Sequence, residues 1–389
     1  MAGLSYGTPM RIVVSGLIGQ YAFGGVAWDY IQYLLGFHEL GHEVWYLEDT
    51  GNWPYHPVKQ EATSDCLQNV AYVQRVMEAF GFGDRWIYRN EADNTYYGAA
   101  PLADKVLAEA DVLVNVSGAC WLRDVTARIP CKLFLDGDPM FTQLGHKEKK
   151  ENTELLLGYT RYYTFGLHVG QVDCKVPTGK IRWLPTVQPI SLSHWEKKAT
   201  PCDFSDAWTT VMNWASYPPK EFQGQLYGQK DMEFLKCVDL PSLSPERFVV
   251  AMGQGVGRNR PTQELLRRGW TILEPHEILP DYESYRSFLI NSKAEWSIAK
   301  HGYVAANSGW FSCRTACYLA AGRPAVVQET GWSHHLPEGE GILSFRTIEE
   351  AANKIRRVSE DYSRHSTAAR QFARDHLDAP KVCNQLLEG

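Results

Sequence analysis

Apolar positions in this chain gather into short β-branched runs that stop at glycine or acidic residues, and stretches of helical spacing lie between them. Residues 10–16 form such a run and end in Gly16, the pattern of a buried parallel strand that gives way to a loop. Helical spacing follows over 26–40 at Ile31, Leu34, Leu35 and Phe37, with Gly41 placed to stop the helix, and residues 43–47 read as a second strand, completing a βαβ unit. The same grammar predicts a helix over 65–80 and strands over 111–116, 131–135, 162–165 and 181–184. Periodicity fades between Pro185 and Pro201, where an interdomain linker is expected. A new strand series then opens at 209–214 and continues at 248–252, 296–299 and 324–328, with a helix over 282–290. Thr347-Ile348-Glu349-Glu350 has capping-box spacing and predicts a helix to about Tyr362, followed by an amphipathic helix over 364–377 and a helical terminus.

The class is therefore α/β, in two domains. The division expected is 1–190 and 191–363, with the terminal helical stretch 364–389 packing back on the first. The chain has 389 residues, 39 basic against 45 acidic, a net charge of −6 and no long basic run, which argues against a sequence-independent grip on nucleic acid. Its nine cysteines are an odd number without a Cys-x-x-Cys pair, so neither a disulfide framework nor a zinc ribbon is indicated, and no metal site is expected. No apolar stretch reaches membrane-spanning length and the first nine residues lack a signal-peptide pattern, so a cytoplasmic protein is expected.

The richest chemistry lies between Ser308 and Pro324. Ser312 is placed to cap a short helix whose first turn, Cys313, Arg314 and Thr315, carries unpaired N–H groups. Arg314 opposes the helix dipole there unless an anion sits at that end, and Lys300 lies upstream at the end of a strand. Lys300, Ser308, Gly309, Ser312, Arg314 and Thr315 thus compose a candidate diphosphate cradle. Glu329 and Thr330 follow the next strand as further candidate site residues, with His334 and His335 as rim residues.

Gly16, Gly19, Gly24 and Gly25 would let backbone approach an acceptor or a phosphate, or else serve a tight turn. Glu48 and Asp49 close the second strand where a ribose-binding acid would stand in an NAD domain, which keeps an oxidoreductase open. Asp136 and Asp138 end a strand and are candidate general bases, Asp138 preferred and Asp29 the alternative. Arg258, in a glycine-rich loop, is a further candidate phosphate contact; His301 and Asp281 have ordinary structural readings as well.

Two similar α/β halves, the glycine loop after the first strand, Leu40-Gly41-His42-Glu43-Val44, and Ala320-Ala321-Gly322-Arg323-Pro324-Ala325-Val326-Val327 together resemble the GT-B type nucleotide-sugar glycosyltransferases. The resemblance implies two Rossmann-like domains facing across a cleft, with the donor diphosphate on the C-terminal one and the acceptor mainly on the N-terminal one. It implies transfer of a sugar from a nucleoside-diphosphate sugar, a co-substrate such as UDP-sugar rather than a cofactor, to a hydroxyl of a small molecule or glycan, a nucleic-acid acceptor staying open. One departure stands out: Gly309 and Cys317 occupy the two slots of the family's Glu-x7-Glu, leaving inversion or retention undecided. A non-hydrolysing epimerase and a non-catalytic sugar-nucleotide-binding protein remain alternatives.

Overall fold

The computed structural model describes residues 8–56, 59, 61–148, 156–200, 202–256 and 259–389. Two parallel sheets organise them. The first has eight strands: β1 (Arg11–Ser15), β2 (Glu43–Glu48), β3 (Trp86–Arg89), β4 (Tyr96–Gly98), β5 (Val112–Val116), β6 (Cys131–Asp136), β7 (Arg161–Thr164) and β8 (Trp183–Pro185), in the order β8-β7-β6-β5-β1-β2-β3-β4. Only β4 runs antiparallel to its neighbour. Ile12, Val13 and Val14 of β1 are fully buried, because helices cover both faces of a parallel sheet.

The second sheet has six strands, all parallel: β9 (Ala207–Ala215), β10 (Arg247–Gly255), β11 (Trp270–Leu273), β12 (Ala294–Ser297), β13 (Ala325–Gln328) and β14 (Ile342–Phe345), ordered β11-β10-β9-β12-β13-β14. This is the doubly wound order in which the connection reverses between β9 and β12, and a crevice opens above their carboxyl ends. Most predicted strands match to within a residue or two. Strands β3, β4, β11 and β14, each three or four residues long, were not among the expected strands.

Helix α1 (Gly24–Glu39) covers the first sheet, and α2 (Leu67–Ala79) follows before β3. In the second half, α3 (Tyr282–Asn291) begins at the Asp281 capping box and α4 (Cys313–Ala320) begins after Ser312. The chain closes with α5 (Ile348–Glu360), capped by Thr347, then α6 (Tyr362–His376) and α7 (Ala379–Glu388). Helix α7 lies on the first sheet's side of the molecule. Gly36 of α1 admits it, because a Cβ there would stand 2.6 Å from Cys383 Sγ, and the Tyr163 hydroxyl donates to the Leu386 carbonyl at 2.9 Å.

The expected linker is more ordered than its composition suggests. Trp195 is fully buried in it, within a short helix Leu192–Trp195. Ile190 pairs with Asp378, so the two segments that cross between the halves run beside each other. One apolar cluster joins residues of both sheets, including Ile12, Trp28 and Tyr33 with Tyr285, Phe311 and Trp332.

Candidate functional site

Arg314 lies across the reversal point of the second sheet. Its guanidinium donates to Glu295 of β12 at 2.7 Å, to the Val211 carbonyl of β9 at 2.5 Å and to the Ser297 hydroxyl of β12 at 2.9 Å. The expected phosphate cation is thus turned inward. A carboxylate with no exposed surface, Glu295, must be paired, and Arg314 pairs it. Burial works against the guanidinium's charge, yet Glu295 holds its pKa above the usual value.

Above it the start of α4 borders a narrow crevice and is not capped by a side chain. Ser312 occupies the cap position without a side-chain cap bond, so the N–H groups of the first turn keep their capacity for an acceptor. The Thr315 hydroxyl is buried with no hydrogen-bond partner. Ser297, Ala299, Ser312, Thr315, Gln328 and Trp332 line the crevice at this point.

Lys230 is the cation that the sequence reading missed. It opens the short helix Lys230–Phe234, and its ammonium has no hydrogen bond or ion pair among the described residues. Burial, then the positive charges of Arg314 and Lys300, push its pKa well below that of an ordinary lysine. A half-buried ammonium beside two further cations, with Glu295 the acid that opposes them, is favoured by an added anion. The signal available was a lysine at a helix start after the first strand of the second half, in Tyr227-Gly228-Gln229-Lys230, without the small-residue framing that drew attention to 308–324.

Lys300 points into the cleft but is engaged there. Its ammonium is 3.0 Å from both oxygens of Asp138 and 2.7 Å from the Tyr217 hydroxyl, and it stands 4.5 Å from the Tyr217 ring centroid. Tyr217 and Tyr303 also donate to Asp138. Burial and the adjacent carboxylate raise both phenols, which keeps them protonated and donating. Asp138 follows β6 and Lys300 follows β12, so the cluster fastens the two halves together. Asp136 is not placed as a base reaching the cleft: it is 1% exposed, and it accepts from the Asp138 amide, Gln143 and Thr164. It shapes the turn that presents Asp138. Asp29, on α1, faces the start of α4, and its carboxyl has no hydrogen-bond or ion-pair partner among the described residues; burial, opposed by Arg314, lifts its pKa to about 7.

The glycines serve packing rather than ligand approach. A Cβ on Gly24 would lie 2.1 Å from the Asp281 carbonyl oxygen and one on Gly25 3.0 Å from the Tyr285 ring, so both admit α3 against α1. Gly16 is covered by the Tyr30 and Tyr46 rings, and Gly19 by Tyr88 and Val73. Glu48 accepts from the Gly19 and Gln20 amides and the Tyr46 hydroxyl, while Asp49 pairs with Arg89 and Arg123. Neither acid is free for a ribose, which removes the ground for the NAD reading. Gly309, at φ 76°, lets the His168 backbone approach to where a Cβ would be 2.2 Å from its nitrogen. Ser308 is fully buried and bonds the Tyr303 carbonyl, and Thr330 bonds the Trp310 carbonyl, so both hold this loop. Glu329 accepts from the Gly331 amide and keeps one oxygen without a hydrogen bond. Cys317, in the ribose slot of the resemblance, faces Gln32 of α1 at 3.8 Å. Arg258 lies outside the described residues.

A second feature absent from the sequence reading is the histidine contact beside Gly309. His168 bonds Asp173 at 2.7 Å through Nε2 and His335 at 2.8 Å through Nδ1, again joining the two halves.

Two doubly wound sheets, an uncapped helix start at a reversal point and cations around it are now in view. The fold is GT-B. An alpha-glucosyltransferase solved with UDP and a 13-mer DNA containing a HMU base superposes with TM-score 0.57 at 12% identity, over 98% of this chain and 99% of that one. Anabaena HepE with UDP and glucose gives 0.56 at 12%, over 97% and 98%. AviGT4, a glycosyltransferase involved in avilamycin A biosynthesis, gives 0.51 at 12%, over 98% and 96%. Residues 257–388 of this GT-B chain match the family model described as glycosyl transferase-like. No curated protein matches it. No helix among the described residues is long and apolar enough to cross a membrane, and no cluster there has the makeup of a metal site.

Proposed function

We propose that this protein transfers a sugar from a nucleoside-diphosphate sugar to a hydroxyl acceptor, with UDP as the nucleotide carrier. The observation that carries the reading is Lys230, half-buried, without a hydrogen bond or ion pair among the described residues, and in the field of Arg314 at the start of α4. A diphosphate there receives the first-turn amides, the Ser312 and Thr315 hydroxyls and the Lys230 ammonium, with Arg314 contributing its field from below. Negative charge grows on the diphosphate as the sugar departs, and these groups stabilise it. The relatives solved with UDP support the choice of carrier.

Lys300 turns to the diphosphate when donor binds, and Asp138, released from it, is the cleft carboxylate that takes the acceptor's proton. The same exchange couples donor binding to movement of the two halves.

The test is calorimetry of UDP on wild type and Lys230→Met. The variant removes a half-buried charge that Arg314 and Lys300 repel while keeping the aliphatic volume, so it should unfold at a higher temperature than wild type. It should also bind UDP at least tenfold more weakly. Equal UDP affinity in the two proteins would overturn the placement of the diphosphate.

A further inference from the structure

Away from the crevice, a solvent-open cavity of about 510 Å³ is lined by Lys197, Lys198, Arg323, Arg370 and Arg374, with Glu196 as the single acid. Five positive groups against one negative leave a local charge of +4, in a chain whose total is −6. Glu196 is taken by Arg374, at 2.7 Å. Lys197, Lys198 and Arg370 have no hydrogen bond or ion pair among the described residues, and the Arg323 Nε is buried without a partner, only its Nη1 bonding the Tyr362 hydroxyl. Arg370 is also seated: its guanidinium lies over Gly322, where a Cβ would be 2.4 Å from Cζ. Gly322 has φ 69°, a conformation that favours glycine, so the turn before β13 is shaped to receive that side chain.

We infer that this cavity is a second anion site, distinct from the crevice above β9 and β12, and that it takes a small polyphosphate: pyrophosphate, tripolyphosphate or the phosphate tail of a nucleotide. Guanidinium forks match phosphoryl oxygens two at a time, and several clustered cations need a ligand with several negative groups. The cations cluster between the linker and α6 at one place, without a basic run leading away in the sequence, which favours a compact anion over a nucleic-acid strand. Its position gives it a consequence. Lys197 and Lys198 belong to one segment crossing between the halves, and α6 leads into the other at Asp378, where the two crossings pair. An anion held by both ties the hinge, and through Arg323 it reaches the turn that starts β13.

The experiment is calorimetric titration of sodium tripolyphosphate into the full chain with the crevice saturated by UDP, on wild type, Arg370→Gln, the double variant Lys197→Gln/Lys198→Gln, and Lys230→Met. The double variant changes only exposed side chains, so it keeps the test sound if Arg370→Gln unfolds. Binding should persist in Lys230→Met and weaken at least tenfold in the hinge variants. Loss in Lys230→Met with retention in the hinge variants would move the anion to the crevice and overturn the inference. It is overturned equally if wild type does not bind, if sulfate at equal ionic strength binds as well, or if a single-stranded DNA oligonucleotide binds these residues more tightly than tripolyphosphate.

Discussion

Asp29 shows how a single side chain records the demands of this interface. It has no hydrogen-bond or ion-pair partner among the described residues, and burial lifts its pKa from 3.8 to about 7 against the pull of Arg314. The folded protein therefore holds that proton more tightly than the unfolded chain does, so the contribution to stability falls as pH rises from about 4 through about 7 and is level above. Asp29→Asn should leave stability unchanged near pH 4 and raise it at pH 8 by on the order of 1–2 kcal/mol, after discounting for partial exposure. Chemical denaturation at the two pH values checks this, and an equal effect at both would refute it. Glu48, also raised to about 7 by burial, contributes a slope of the same sign, so the variant's curve flattens without becoming level. Arg314 belongs to the same scale: the cation was legible from the sequence, but its partner was not, because Glu295 is nineteen positions away and nothing local marks it as buried.

Elements in this protein are positioned by what glycine allows. Helix α1 starts at Gly24 because α3 comes from the other half to within contact of its first turn. Gly24→Ala places a methyl where the Asp281 carbonyl stands, and overpacking of that kind costs roughly 1–3 kcal/mol. Thermal unfolding should show that loss, with Gly25→Ala milder because its neighbour is the edge of a ring. Long elements with strong periodicity, such as α1, α5 and β9, were readable from spacing alone, as was the Thr347 cap. Among the three- and four-residue strands, β7, β8, β12 and β13 were readable, while β3, β4, β11 and β14 were not and form by pairing with a neighbour already in place. The glycine loop was visible as a loop, yet its partners are tyrosines and a helix distant in sequence, so its purpose could not be read from composition.

At the scale of the whole molecule, the halves are held together by the apolar contact of α1 with α3 and by polar contacts that include the Asp138 cluster, the His168–His335 pair and the Leu167–Gly309 strand-like contact. Lys300→Met removes the charge that closes the first of these. It should raise hydrogen exchange of the 165–168 and 308–310 amides severalfold in the absence of nucleotide, measured by mass spectrometry, while amides of β1 and β9 keep their protection. Unchanged exchange at those loops would mean that the Asp138 cluster does not fasten the halves.

The order of β-branched runs and helical spacing determined an α/β chain with two successive strand series, because burial on both faces of a parallel sheet writes itself into the central strands of each series. The same reading located the loop and helix start around Ser312, where small residues and a cation stand together. Only the tertiary structure decided which cations of the crevice are spent on protein carboxylates and that Lys230, beside them, has no hydrogen bond or ion pair among the described residues. Pairing is a property of distance in space, and the residues that neutralise Arg314 and Lys300 lie 19 and 162 positions from them.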